Sequence, residues 1–173
     1  YENGEGVPKD YKEALRLYTL AANQGKVKAQ YNLGVIYYEG RAVPQDYEEA
    51  VRWYTLAAKQ GDAMAQFNLA SMYEDGHGVS QDDREAIKFY TLAARQGYAK
   101  AQSNLGLMHY NGQGVLADPV IAHIWFNIAA ANGAESAGAN RDIIAKEMTS
   151  EDISKAEAMA RACFNSNYEK CGY

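Results

Sequence analysis

The chain has 173 residues, 47% of them hydrophobic and 23% charged, enough apolar material for one domain with its own core. Its 17 Lys and Arg stand against 22 Asp and Glu, a formal net charge of -5. That is the wrong sign for the electrostatic footprint of a phosphate-backbone binder, so nucleic acid is not expected as a partner; no apolar run approaches the ~18 residues of a spanning helix.

The chain opens at Tyr1 in the middle of a pattern that returns downstream, so an earlier segment, with any signal peptide it carries, is expected ahead of it. The pattern has a step of 36 residues, kept by Gly25, Gly61, Gly97 and Gly133, by Gly4, Gly40, Gly76 and Gly112, and by Asn32, Asn68, Asn104 and Asn140. It divides the chain into a partial unit 1–25, full units 26–61, 62–97 and 98–133, and a divergent remainder 134–173, all within one repeat domain.

In chain order, Asp10 with Glu13 reads as a capping box opening a first helix that Gly25 stops. The stretch 27–38 carries Ala29, Leu33 and Ile36 at helical spacing, a narrow apolar stripe ended by Gly40. A turn around Val43-Pro44 leads into a helix from Asp46, with Glu49 three residues on, to Gln60 and the stop at Gly61. The cycle repeats with a helix over 63–74, a capped helix from Asp82 with Glu85, a helix over 99–110, and a fourth start at Asp118 followed by Pro119.

Each unit is thus a helical hairpin, in which small residues such as Gly34, Ala50, Ala57 and Ala58 alternate with large ones such as Trp53, Tyr54 and Leu56. One hairpin cannot bury its own apolar face, so stacked copies must share a core. The segment 135–147 keeps Ala137 and Asn140 but places Arg141 in the leucine slot. Thr149 with Asp152 then opens a closing helix over 153–164, whose Ser154, Lys155, Glu157 and Arg161 suit a solvated cap. Cys163 and Cys171 lie eight apart near the end, which fits a local disulfide or two free thiols. The disulfide is preferred and hints at an oxidising compartment, periplasmic or secreted rather than cytoplasmic.

The run Ala29-Gln30-Tyr31-Asn32-Leu33-Gly34, then Tyr37, Gly40, Val43-Pro44, Asp46, Ala50, Trp53-Tyr54, Ala57-Ala58 and Gln60-Gly61 resembles the Sel1-like repeat, a longer relative of the tetratricopeptide repeat. The resemblance covers nearly the whole chain. It implies an all-α fold, a right-handed α/α solenoid of stacked helical hairpins, and a non-enzymatic scaffold or adaptor that binds a partner polypeptide. A cysteine-rich secreted branch of the family ties each hairpin with a disulfide, and the spacing of Cys163 and Cys171 is similar, although both lie outside the full repeats. That branch suggests an alternative, a secreted or periplasmic protein that binds cell-wall peptides or β-lactams with weak hydrolase activity.

Slots that never change between copies serve the stacking, and slots that change are free to specify a ligand. On the first helix of each full unit the changing slots fall three or four residues apart, on one face, which the resemblance places on the concave surface. They are Lys28, Tyr31, Val35, Tyr38 and Glu39, then Met64, Phe67, Ser71, Glu74 and Asp75, then Lys100, Ser103, Leu107, Tyr110 and Asn111. Their aromatic rings supply contact area, and tyrosine adds a hydroxyl for hydrogen bonding. Each aromatic alone reads as packing between repeats rather than as a ligand contact, and it is the set that points to a groove. The asparagine ladder has two readings, bonds to the backbone of a neighbouring loop or contacts to a bound peptide, and the first is preferred because a buried amide must be satisfied.

No catalytic residue, metal site or cofactor is expected. His77 falls in a turn, His109 in a slot that holds Tyr37 and Tyr73 elsewhere, and His123 in a capped helix, with no metal-ligand spacing among them. The pairs Gly4/Gly6, Gly76/Gly78 and Gly112/Gly114 follow no strand and lack the third glycine of a dinucleotide fingerprint, so they are turns. An incomplete first unit leaves an apolar edge at Tyr1, Val7 and Leu15, from which self-association is expected.

Overall fold

A computed structural model describes residues 11–41, 43–169 and 171. The cap at Asp10, the turn at Gly4 and Gly6, the edge residues Tyr1 and Val7, and Gly172 lie outside them. The described chain is helical, with no strand among the described residues, and forms two compact units divided after Gln81.

The first unit holds α1 (Tyr11–Asn23), α2 (Val27–Glu39), α3 (Tyr47–Lys59) and α4 (Ala63–Asp75). Consecutive helices pack on one another, and α2 also touches α4. Asp46 starts α3 as expected, its carboxylate accepting the Glu49 N–H at 3.0 Å. Glu49, however, turns its own carboxylate to Arg52 three residues on, at 3.1 Å. A carboxylate on the exposed first turn finds a guanidinium within reach, so the capping box is only half used. Gly40 ends α2 in the left-handed conformation at φ 69°, its N–H donating to the Ile36 carbonyl.

The core of this unit is the apolar stripe read from the sequence. Ala29, Leu33 and Ile36 are buried with Ala22 and Trp53, and Leu15, Tyr18, Tyr37 and Val43 pack against them. Burying one such leucine contributes roughly 1.5–3 kcal/mol. Gly34 lies against Tyr54 so closely that an added Cβ would come within 2.5 Å of two ring carbons. Leu56, grouped with the packing residues in the sequence, is instead 37% exposed.

The second unit holds α5 (Asp83–Ala94), α6 (Ala99–Asn111), α7 (Pro119–Ala131), α8 (Ala137–Ile144), a 3-10 turn (Ala145–Glu147) and α9 (Ser150–Asn165). Asp82 caps α5 by accepting from Arg84 and Glu85, and Asp118 caps α7, with Pro119 at its first turn. The pairs Gly76/Gly78 and Gly112/Gly114 are turns, and each glycine has its own reason. Gly76 and Gly112 close α4 and α6 in the left-handed region. Gly78 and Gly114 lie against backbone at the start of the preceding capped helix, Tyr47 and Asp83 respectively, where no Cβ fits.

Thr149 caps α9, accepting the Asp152 N–H at 3.1 Å. Ser154, Lys155 and Arg161 face solvent while Ala156, Ala160 and Cys163 are buried in the unit where α9 packs on α7. Cys163 and Cys171 form a disulfide, their Cα atoms 4.3 Å apart. The tail folds back, and the Tyr168 hydroxyl meets the Asn132 amide at 2.8–3.0 Å.

Candidate functional site

The two helices of the first unit that carry variable slots, α2 and α4, open a cleft of about 360 Å³. Its lining is Tyr31, Val35, Tyr38 and Glu39 from α2, Phe67, Asn68 and Ser71 from α4, and Tyr54 from α3. Six of these eight are slots read from the sequence as variable. Their i, i+4 and i+3 spacing stacks them along one side of each helix. Tyr31 and Tyr54 meet at a ring separation of 5.9 Å and 44°. Tyr38 leans on Tyr47 at 5.4 Å, and Tyr47 stacks flat on His77 at 4.7 Å, so the aromatic surface continues beyond the cleft to the turn after α4.

Sequence reasoning assigned the other two lining residues elsewhere. Tyr54 was read as packing, and it is 1% exposed, yet its ring closes the inner end of the cleft. Asn68 belongs to the asparagine ladder, and its side-chain amide acts on the hydroxyls of both Tyr31 and Tyr54, holding their phenols lower than burial alone would. In the second unit Asn104 donates to the Tyr90 hydroxyl at 2.8 Å. Asn104 therefore reaches a tyrosine hydroxyl rather than loop backbone, and Asn68 lines the cleft. The signal was present in the sequence as a second period, because Tyr18, Tyr54 and Tyr90 precede Asn32, Asn68 and Asn104 by 14 residues each. Phe126 breaks it before Asn140.

The backbone bonds expected of asparagine are made by an adjacent slot. Gln30, Gln66 and Gln102 are buried, and each donates to a carbonyl eight residues earlier, Ala22, Ala58 and Ala94, at 3.2, 3.1 and 2.9 Å. Gln30 also accepts from Gln60 at 2.7 Å, and Gln102 from Asn132 at 2.8 Å. An amide has both donors and an acceptor to satisfy, and the glutamine slot gives its donor to the helix before its own.

The phenols of the cleft stay protonated at neutral pH. Burial pushes Tyr54 well above its usual range, and burial first, then the carboxylates of Asp62 and Glu39, raises Tyr31. Tyr38 is raised by burial, by Tyr47, and by Asp75 and Glu39. Glu39 pairs with Arg41 at the rim, while Asp75 accepts from Ser71 at 3.3 Å and stands 3.9 Å from His77. The remaining variable slots of this unit do not line the cleft: Lys28 and Met64 are exposed and Glu74 half-buried.

In the second unit Leu107 and Tyr110 border a small hollow of about 80 Å³ with Phe126, Asn140, Ile143 and Ile144. Tyr110 donates to Glu147 at 3.1 Å, which raises its phenol. Lys100 is exposed, Ser103 is half-buried, and Asn111 donates to Gln113. His109 and His123 are buried, and His77 lies in a turn. Among the described residues no group of three or more His, Cys, Asp or Glu gathers as metal ligands, and no helix is long and apolar enough to cross a membrane.

The Sel1 repeat family model matches residues 1–26, 27–62, 63–98 and 99–133. Those full repeats begin one residue after the bounds drawn from the glycine step. Among solved structures the chain is similar to c5321, a protective antigen of uropathogenic Escherichia coli strains displaying an SLR fold, at 37% identity over 98% of this chain, with a TM-score of 0.85. It spans only 36% of that protein's length. It is also similar to a Sel1 repeat protein from Oxalobacter formigenes, 31% identical over 94% of this chain and 69% of that one, with a TM-score of 0.77. Cysteine rich protein B of Helicobacter pylori shares the fold at 23% identity, covering 76% of this chain and 94% of its own, with a TM-score of 0.60. No curated protein matches the chain. With these relatives, the helical hairpins and the 36-residue step place the fold in the all-α solenoid class.

Proposed function

The chain belongs to the Sel1 repeat family, whose members are generally non-catalytic protein-interaction scaffolds, and from that membership we propose that it holds a partner polypeptide in the cleft between α2 and α4. The observation that carries this reading is the cleft itself. An open space of about 360 Å³ is walled by Tyr31, Tyr38 and Phe67, in slots that differ from copy to copy while the packing slots beneath them stay constant. Rings with few rotatable bonds give contact area at low entropic cost, and concave sites walled by them are where binding energy concentrates. Leu107 and Tyr110 occupy corresponding slots in the second unit and add a second, separate contact region.

Panning a random peptide library against the chain tests the reading. Selected peptides should bind the parent and lose at least tenfold in affinity for Tyr31→Ala/Phe67→Ala, with the helical circular dichroism spectrum of the parent retained. Equal affinity for both proteins refutes the cleft as the binding site.

A further inference from the structure

We propose that the α2/α4 cleft is a receptor for a cationic side chain, arginine or lysine, of the bound polypeptide. The inference rests on the peptide-binding reading above and adds to it the chemistry of the residue the cleft receives. Three features of the lining select a cation. Its walls are aromatic: Tyr31, Tyr38 and Phe67 contribute rings, with Tyr54 behind them, and ring faces attract a positive charge placed within about 6 Å. Its only ionisable groups besides the phenols are carboxylates, since among the described residues the lining contains Glu39 and no lysine or arginine. The field is negative beyond the lining as well, because Glu39, Asp62 and Asp75 act on the phenols.

The same carboxylates that disfavour a phenolate favour an ammonium or a guanidinium. The phenols remain neutral. An incoming carboxylate would meet Glu39, whose neighbour Arg41 already pairs with it at the rim. A neutral aliphatic side chain would fill the space but use neither the rings' electrostatics nor the carboxylate. The Arg41 pair is exposed, so exchanging it for an incoming cation disturbs little. The methylenes of a long cationic side chain can also cover the rings of the walls, with Glu39 as the carboxylate of the lining.

The test titrates the isotope-labelled chain, followed by amide NMR shifts, with four capped amino acids: N-acetyl-arginine, N-acetyl-lysine, N-acetyl-norleucine and N-acetyl-glutamate methylamides. The cationic probes should move the amides of Tyr31, Val35, Tyr38, Glu39 and Phe67 with an affinity roughly tenfold above norleucine, equivalent to about 1.4 kcal/mol. Glu39→Gln should cut that preference at least threefold while leaving norleucine binding unchanged. Norleucine or glutamate binding as well as arginine in the cleft overturns the cationic inference and leaves the peptide-binding cleft standing. If no probe moves these amides at tens of millimolar, both fall together.

Discussion

Replacing Gly34 by alanine should destabilise the first unit even though alanine is the better helix former. Within an exposed helix the exchange gains about 1 kcal/mol. Gly34 is buried, however, and a Cβ there would stand 2.5 Å from Cδ1 and Cε1 of Tyr54 and 3.0 Å from its Cγ. Carbon atoms in good contact lie ~3.5–4.0 Å apart, so ring or helix must move by about 1 Å. Tyr54 has little freedom to do so: it is 1% exposed, its ring meets Tyr31 at 5.9 Å, and its hydroxyl lies within the influence of Asn68. Overpacking of this kind costs typically ~1–3 kcal/mol. With the ring tied at both ends the upper value applies, and after subtracting the helix gain a net loss of about 2 kcal/mol is expected. Urea unfolding followed by circular dichroism measures it. Gly34→Ala/Tyr54→Leu, in which the offending ring atoms are gone, should be less destabilised than the sum of the single variants. A Gly34→Ala variant as stable as the parent, or additive behaviour in that pair, would refute the claim that Tyr54 requires glycine at position 34.

Two further outcomes follow from the second unit. Burial first, then Arg141, lowers the His123 pKa below the ordinary 6.5, against the opposing pull of Glu157 and Asp142. Unfolded chains therefore take up a proton before folded ones as the pH falls through about 6.5, so stability declines there and stops declining below the depressed folded value. His123→Val, which installs the side chain present at Val51, should flatten this slope in urea midpoints measured from pH 7.5 to 5, leaving the contribution of buried His109; an unchanged slope counts against it. Reducing the Cys163–Cys171 disulfide, which closes a loop of sequence separation 8, should cost roughly 2 kcal/mol by loop-closure entropy. Hydrogen exchange should speed up at the end of α9 and around Tyr168 but not in α2, and exchange rates that rise equally in both would contradict it.

Repetition made most of the architecture readable without coordinates. A slot filled four times by the same residue type reports a local requirement, and the 36-residue step exposed the hairpins, the caps at Asp46, Asp82 and Asp118, and the buried stripe through Leu33, Leu69 and Leu105. Variability located six of the eight cleft residues for the complementary reason, since a side chain not needed for stacking is free to differ. Helical periodicity, capping and glycine stops depend on neighbours within one or two turns, so they are written locally.

What only the tertiary structure decided are the relations between helices. Periodicity names a face but not how wide two faces stand apart, so it could not tell that α2 and α4 open a cleft at Tyr31 and Phe67 while Lys28 and Met64 stay outside it. Nor could it distinguish the polar ladders: glutamine and asparagine recur at the same step, and only the packing of each helix on the one before it gave Gln30, Gln66 and Gln102 the backbone carbonyls and Asn104 a tyrosine hydroxyl. Tyr54 serves as core and as cleft wall at once, because a ring is large enough to pack Gly34 with one edge and reach the open space with the other. The sequence determined which side chains recur and on which helix faces; distance and direction between those faces, which arise only when hairpins stack, decided what each one touches.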